Sequence, residues 1–223
     1  MIAYLISCEH ATCTVPEAYR EFFLGSEEVL TSNEGWEPGA LNLSQAFAMR
    51  FRTPLVHGDV TRLLIDLEKD GDERWSRFSE KISESMRLRM ADRYERVFRQ
   101  QLRQRIAEDL RRYENVVHVM VHTDAVNAGR VSLVTPEKSV LGETLAGEWS
   151  SRLRASDVDV RCVRGADTGA FAMALAREYD PARYAQIRLE VSQNFFLEGK
   201  PLRWETIKKI LLDSLAQATE QKA

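Results

Sequence analysis

Short apolar runs alternate with longer amphipathic segments along the whole chain, and this alternation limits the folds that the chain can adopt. The apolar runs at residues 2–7, 116–121 and 187–191 predict buried strands, and the segments between them carry apolar side chains at helical spacing. Strands joined by helical crossovers form largely parallel sheets with helices on both faces. The sequence therefore predicts an α/β fold with three αβα layers and a mostly parallel or mixed central sheet. No linker divides residues 1–223, which predicts a single domain.

The same periodicity predicts the remaining elements. Helices are expected at residues 16–23, 40–51, 86–113, 141–153, 170–179 and 204–218, and further strands at 54–57, 60–67, 131–134 and 158–163. Residues 68–79 are polar and show no period, which predicts an exposed loop.

Charge and composition narrow the classes of partner. The chain has 31 basic and 34 acidic residues, a formal charge of -3, which argues against a general binder of polyanions. Nine arginines lie between residues 87 and 112, but acidic residues are interspersed among them, which is typical of a salt-bridged helix face rather than a nucleic-acid site. No apolar run approaches the ~20 residues of a membrane span. Three cysteines do not suggest a disulfide framework, so we expect a cytoplasmic protein.

Polar residues follow three of the predicted strands at the point where each strand ends. Glu9 and His10 follow the first, His122 ends the middle one, and Glu190 lies near the end of the last. Ligands of open α/β sheets bind beyond the carboxyl ends of the strands, so these side chains are candidates for one site. Cys13 lies three residues after His10, and zinc accepts both imidazole nitrogen and thiolate sulfur. By spacing alone, however, a lone histidine at a strand end is more often structural than a ligand.

Several motifs, in order, resemble those of the N-formylglutamate amidohydrolase family. They are Ser7-Cys8-Glu9-His10-Ala11 followed by Val15-Pro16, Gly35-Trp36-Glu37-Pro38-Gly39-Ala40, Thr61-Arg62-Leu63-Leu64-Ile65-Asp66-Leu67, the segment from Tyr94 to Arg99, Val121-His122-Thr123, and Leu189-Glu190-Val191. The similarity extends from the first strand to Asn194. No single motif is decisive, and the specificity comes from their shared order.

The resemblance implies a phosphorylase/hydrolase-like fold, similar to that of zinc carboxypeptidases and aspartoacylases. It also implies that the protein is a zinc-dependent hydrolase of a small N-acyl amino acid or related amide. It implies that His10 and His122 hold Zn²⁺ and that Glu190 is the general base. Arg62 would polarise the carbonyl oxygen or bind a substrate carboxylate. Cys13 is the candidate third ligand from its spacing. Further candidates for substrate binding are Arg99, Arg130 and Glu37.

The chain departs from the family pattern at several pocket positions. Asn33 replaces a histidine, Glu37 an aspartate, Glu68-Lys69 an Asn-Arg pair, and Cys13 an asparagine, so formylglutamate itself need not be the substrate. If Cys13 is not a ligand, the third position falls to water or to a carboxylate such as Glu9 or Glu37.

Two other functions remain open. The chain could be a catalytically reduced relative that binds a metal or small carboxylate without turnover. It could also be a cysteine hydrolase, for which Cys13 is the plausible nucleophile because Cys8 ends a buried strand.

Overall fold

The computed structural model describes residues 1–220 and contains one six-stranded sheet in the order β2-β1-β3-β6-β4-β5. The strands are β1 (Ile2–Cys8), β2 (Leu55–His57), β3 (Asn115–Asp124), β4 (Val131–Thr135), β5 (Val160–Arg164) and β6 (Tyr184–Ser192). β2, β1, β3 and β6 are parallel, β4 is antiparallel to β6, and β5 is parallel to β4. The predicted three-layer fold with a mixed sheet is confirmed.

Eight α-helices lie within residues 1–220, and several of them cover the two faces of the sheet. The helices are α1 (Glu27–Thr31), α2 (Ala40–Phe51), α3 (Glu84–Met90), α4 (Arg96–Arg112), α5 (Val140–Ala155), α6 (Ala170–Glu178), α7 (Asn194–Leu197) and α8 (Pro201–Glu220). α2, α5 and α8 pack on one face through Phe47, Trp149 and Leu211, and α4 and α6 pack on the other through Leu102 and Leu175. Within residues 1–220, no helix is both long enough and apolar enough to cross a membrane.

The strand predicted at residues 60–67 is wrong. These residues form turns, and their apolar side chains fill a separate cluster in which Leu64 and Ile65 pack with Phe23 and Phe78. The loop predicted at 68–79 is likewise not fully exposed, because Phe78 and Ser79 are buried. An apolar run therefore identified burial correctly, but the run packs beside the sheet instead of within it.

The helix predicted at residues 86–113 is interrupted. A π-helical turn at Ala91–Glu95 separates α3 from α4, and the buried Glu95 lies 2.8 Å from Arg99. Four arginines of α4 form ion pairs, among them Arg105 with Asp109 at 2.8 Å. The salt-bridged face expected from the sequence is thus present, while the expected lack of nucleic-acid binding stays a prediction.

A buried histidine lies in the middle of the sheet. His118 of β3 is fully buried, with Nδ1 2.7 Å from the Tyr184 hydroxyl and Nε2 2.9 Å from Oγ of Ser7. Burial lowers its pKa from 6.5 to about 4. The imidazole is therefore neutral in the folded chain at pH values where it is protonated in the unfolded chain.

This difference predicts an acid-sensitive stability. Between pH 6.5 and 4 the unfolded chain binds a proton at His118 that the folded chain does not bind, so stability falls as the pH falls. The loss of unfolding free energy caused by this one proton reaches about 3 kcal/mol at pH 4. Urea unfolding of the wild type and His118→Gln across this range should give a free-energy difference that shrinks with acidity. Equal pH slopes for the two proteins would contradict the assignment.

Candidate active site

Two histidines meet at the carboxyl ends of neighbouring strands. His10 follows β1 and His122 lies near the end of β3, and these strands are parallel, with Ser7 paired to Met120. Their ring centroids are 5.7 Å apart, and the rings are inclined by 70°. Both are buried. The convergence predicted from the strand ends is therefore present.

Glu37 lies between the two rings. Its Oε1 is 2.8 Å from Nδ1 of His10, and its Oε2 is 3.0 Å from Nδ1 of His122. The loop before α2 is held in place because the Glu37 N–H donates to the carbonyl of His10, and the Thr123 N–H donates to Oε2. Donor atoms of these three side chains lie within 4.8 Å of one another. Sequence analysis offered Glu37 both as a substrate-binding residue and as an alternative third ligand, and the structure places its carboxylate among donors that could share an ion.

The far nitrogen of each ring faces another carboxylate. Nε2 of His10 lies 2.9 Å from Asp66, and Nε2 of His122 lies 3.2 Å from Oε2 of Glu9. The second contact falls outside ordinary hydrogen-bond angles, and neither atom has another hydrogen-bond partner among residues 1–220. Histidines that bind metals commonly donate their other N–H to such a carboxylate, which orients the ring. A second group of donors, His10 with Asp66 and Glu68, could also share an ion, but only the group on the Nδ1 side brings both histidines together with Glu37.

The site contains more acidic than basic side chains. Its carboxylates are Glu9, Glu37, Asp66, Glu68 and Glu190, and its guanidinium groups are those of Arg62 and Arg188. Buried charge of one sign is costly unless it is compensated. Protons on the histidines, or a bound cation, supply the missing positive charge.

The carboxylates hold both imidazoles in the charged form. Burial alone would lower the pKa of His10, but the charges of Glu68 and Glu37 outweigh it and raise the pKa to about 10. Burial and Arg188 oppose protonation of His122, yet Glu37 and Glu68 raise its pKa to about 9. A metal ion at the Nδ1 atoms would replace these protons.

Arg62 reaches the site, but its donors are largely occupied. Its Nε donates to the carbonyl of Glu34, another nitrogen contacts the carbonyl of Asn33, and a third lies 3.5 Å from Oε1 of Glu37. Neither Arg62 nor Asp66 lies in a strand, and Asp66 is 2.9 Å from Nε2 of His10.

Glu190 of β6 is the register partner of His122 in β3, so the two side chains lie on the same side of the sheet. It does not touch the histidines. Nε of Arg188 donates to Oε1 of Glu190 at 2.8 Å, and Arg188 also pairs with Glu68, whose Oε1 lies 3.4 Å from Nε2 of His122. Sequence analysis missed the role of Arg188 and Glu68. Strand alternation could have identified Arg188, which lies two residues before Glu190 and therefore shares its face.

Three candidates from the sequence lie elsewhere. Cys13 is partly buried and belongs to neither group of side chains within 1–220 that could share an ion, so the structure does not bring it to the histidines. Arg99 is 2.6 Å from Asp70, and Arg130 is 3.0 Å from Asp159. Both arginines are engaged in ion pairs, and neither contacts the site residues described above.

Comparison with known proteins shows similarity of fold to two solved structures. No protein-family model and no curated protein matches the sequence. The crystal structure of a gene product from Agrobacterium tumefaciens superposes with a TM-score of 0.80 at 19% identity, covering 99% of this chain and 90% of that one. An N-formylglutamate amidohydrolase from Ralstonia eutropha superposes with a TM-score of 0.67 at 16% identity, covering 97% and 93%. This chain has the fold of that amidohydrolase.

The geometry predicts which side chains could share a metal ion, and zinc is the probe that tests this. Glu37→Gln removes the charged donor between the rings, so zinc affinity should fall at least ~10-fold. Cys13→Ser should bind zinc as the wild type does, because the thiol lies outside the donor group. Competition with a chromophoric chelator measures both affinities. A loss of affinity in Cys13→Ser with none in Glu37→Gln would reverse the assignment.

Zinc binding should also release protons. Below pH 9 both imidazoles are protonated in the metal-free protein, and each must lose its proton at Nδ1 before it can act as a ligand. Affinity should therefore rise with pH, by up to about two decades per pH unit near neutrality, and level off near pH 10. Calorimetry in two buffers of different ionisation enthalpy counts the protons. Binding with no proton release at pH 7.5 would contradict the protonated state.

Proposed function

We propose that the protein is a zinc-dependent amidohydrolase that cleaves a small N-acyl amino acid or a related amide. The observation that carries this proposal is the position of Glu37 between the Nδ1 atoms of His10 and His122, 2.8 and 3.0 Å away. The fold shared with an N-formylglutamate amidohydrolase supports the same reaction class.

The donor set fits zinc. Two imidazole nitrogens and one carboxylate form a three-ligand set found in catalytic zinc sites, which leave a position open. His10, Glu37 and His122 would hold the ion, and the outer carboxylates Asp66 and Glu9 would orient the two rings. A zinc ion there supplies Lewis-acid chemistry, because it polarises a carbonyl and lowers the pKa of water to about 7.

Glu190 is the proposed general base. Arg188 binds its Oε1, which leaves Oε2 without a bond from that guanidinium group. In the proposed reaction, Oε2 takes a proton from the attacking water and returns it to the nitrogen of the leaving amine. Its register beside His122 supports the role, because both side chains lie on one face of the sheet.

Arg62 is the proposed substrate-binding residue. The guanidinium group is about a quarter exposed and lies 3.2 Å from Nδ1 of His10, so it borders the proposed zinc position. From there it can donate to the carbonyl oxygen of an amide or to a carboxylate of the substrate.

Three unpaired cysteines support the cytoplasmic location expected from the sequence.

A second candidate is a relative that binds zinc without turnover. The ion pair between Arg188 and Glu190 favours it, since a carboxylate bound by a guanidinium group is a weaker base. Contacts between Arg62 and the carbonyls of Asn33 and Glu34 also reduce the donors left for a substrate.

Turnover by the zinc-loaded wild type and by one variant separates these two functions. The zinc-loaded wild type should hydrolyse at least one member of a panel of N-formyl, N-acetyl and N-succinyl amino acids. Glu190→Gln should lower kcat by ~10²–10⁴-fold while retaining zinc, because the proton acceptor is removed. Glu205→Gln, an exposed change on α8, is the matched control and should be fully active. A zinc-loaded wild type that turns over no amide in the panel would favour the non-catalytic relative.

A further inference from the structure

A chain of buried polar side chains runs from the interior of the sheet to His122. The Tyr184 hydroxyl lies 2.7 Å from Nδ1 of His118, and Nε2 of His118 lies 2.9 Å from Oγ of Ser7. Oγ of Ser7 donates to Oε1 of Glu9 at 2.9 Å, and Oε2 of Glu9 lies 3.2 Å from Nε2 of His122. All five side chains are buried, on three adjacent strands or directly after one of them.

The hydrogens in this chain can be arranged in only one direction. An ionised carboxylate only accepts, so the single hydroxyl hydrogen of Ser7 points to Glu9. Nε2 of His118 must then donate to Ser7. Because a neutral imidazole has one N–H, its Nδ1 must accept, and the Tyr184 hydroxyl donates to it. Burial lowers the pKa of His118 to about 4, which agrees with a neutral ring.

The last contact of the chain, between Glu9 and His122, lies on the side of the ring that faces away from Glu37. Oε1 of Glu9 is bound by Ser7, so its Oε2 is directed at Nε2 of His122, and neither of those two atoms has another hydrogen-bond partner within residues 1–220. The backbone beneath is closely packed, since a Cβ on Gly58 would lie 2.3 Å from the Glu9 carbonyl oxygen. With Nε2 directed at Glu9, the other ring nitrogen, Nδ1, lies 3.0 Å from Oε2 of Glu37.

We propose that His118 and Ser7 are positioning residues that hold Glu9 against Nε2 of His122 and thereby orient the ring so that its Nδ1 faces the proposed zinc position. The inference rests on the proposed zinc site. It assigns a role to His118, which is not itself one of the proposed zinc-binding residues. A merely structural His118 would affect folding alone. A positioning His118 also affects zinc affinity and the protonation pattern of His122.

Zinc affinity of four variants tests the proposal, with thermal unfolding measured alongside. Ser7→Ala and His118→Leu each interrupt the chain, and both should weaken zinc binding ~10–100-fold in chelator competition. His118→Gln keeps a donor and an acceptor and should restore most of the affinity. Ser214→Ala is the matched control, because it removes a buried serine hydroxyl that accepts from Trp149 at 2.9 Å in the opposite helical layer. It should lower stability and leave zinc affinity unchanged.

The protonation of His122 provides an independent readout. Long-range ¹H–¹⁵N correlation spectra of the zinc-loaded wild type should show the ring proton of His122 on Nε2, and Ser7→Ala should broaden or shift that signal. If Ser7→Ala does not fold, Tyr184→Phe, which lacks one hydroxyl at the far end of the chain, takes its place with a smaller weakening expected.

The outcomes distinguish this inference from the function on which it rests. Wild-type protein that binds no zinc overturns the proposed function and the inference together. Wild-type protein that binds zinc while the folded chain variants bind it equally tightly, with an unchanged His122 spectrum, overturns the inference alone. Weaker binding in Ser214→Ala of the same size as in Ser7→Ala would also overturn it, because the effect would then be one of stability.

Discussion

The shared carboxylate of Glu37 is the contact around which the site is organised. One buried acid faces an imidazole from each of two neighbouring strands. Its backbone N–H donates to the His10 carbonyl, and its Oε2 accepts from the Thr123 N–H. Such a group cannot be buried without compensation, and the surrounding acids increase the demand for positive charge. In the metal-free protein the two histidines meet this demand by binding protons. The same demand supports the proposed binding of a divalent cation.

The sheet makes this concentration of charge possible. Apolar clusters on both of its faces, built around Trp149 on one side and Leu102 on the other, stabilise the strands that carry the histidines. Parallel pairing of β1 with β3 and of β3 with β6 then places Glu9, His122 and Glu190 along one edge. The polar residues are therefore positioned by packing that lies mostly away from them.

The sequence was informative where structure follows from local periodicity. The helix at residues 40–51 was predicted with its observed bounds, and the strand ends correctly indicated that His10 and His122 converge. It was uninformative where pairing is long-range. Asp66 lies 56 residues from its partner His10, and Glu37 lies 85 residues from His122, so no spacing rule connects them. Apolar character alone could not separate a strand from residues 60–67, which pack outside the sheet.

The π-helical turn at Ala91–Glu95 divides one long helical segment between two cores. Met90, before the turn, packs with the cluster formed by residues 60–82, whereas Phe98, after it, packs against the sheet. Arg62, Asp66 and Glu68 all belong to the first region, which has its own apolar interior. A substitution in this region can thus alter one side of the site while the strands that carry the two histidines keep their own packing. The region is in this sense a separable module of the fold.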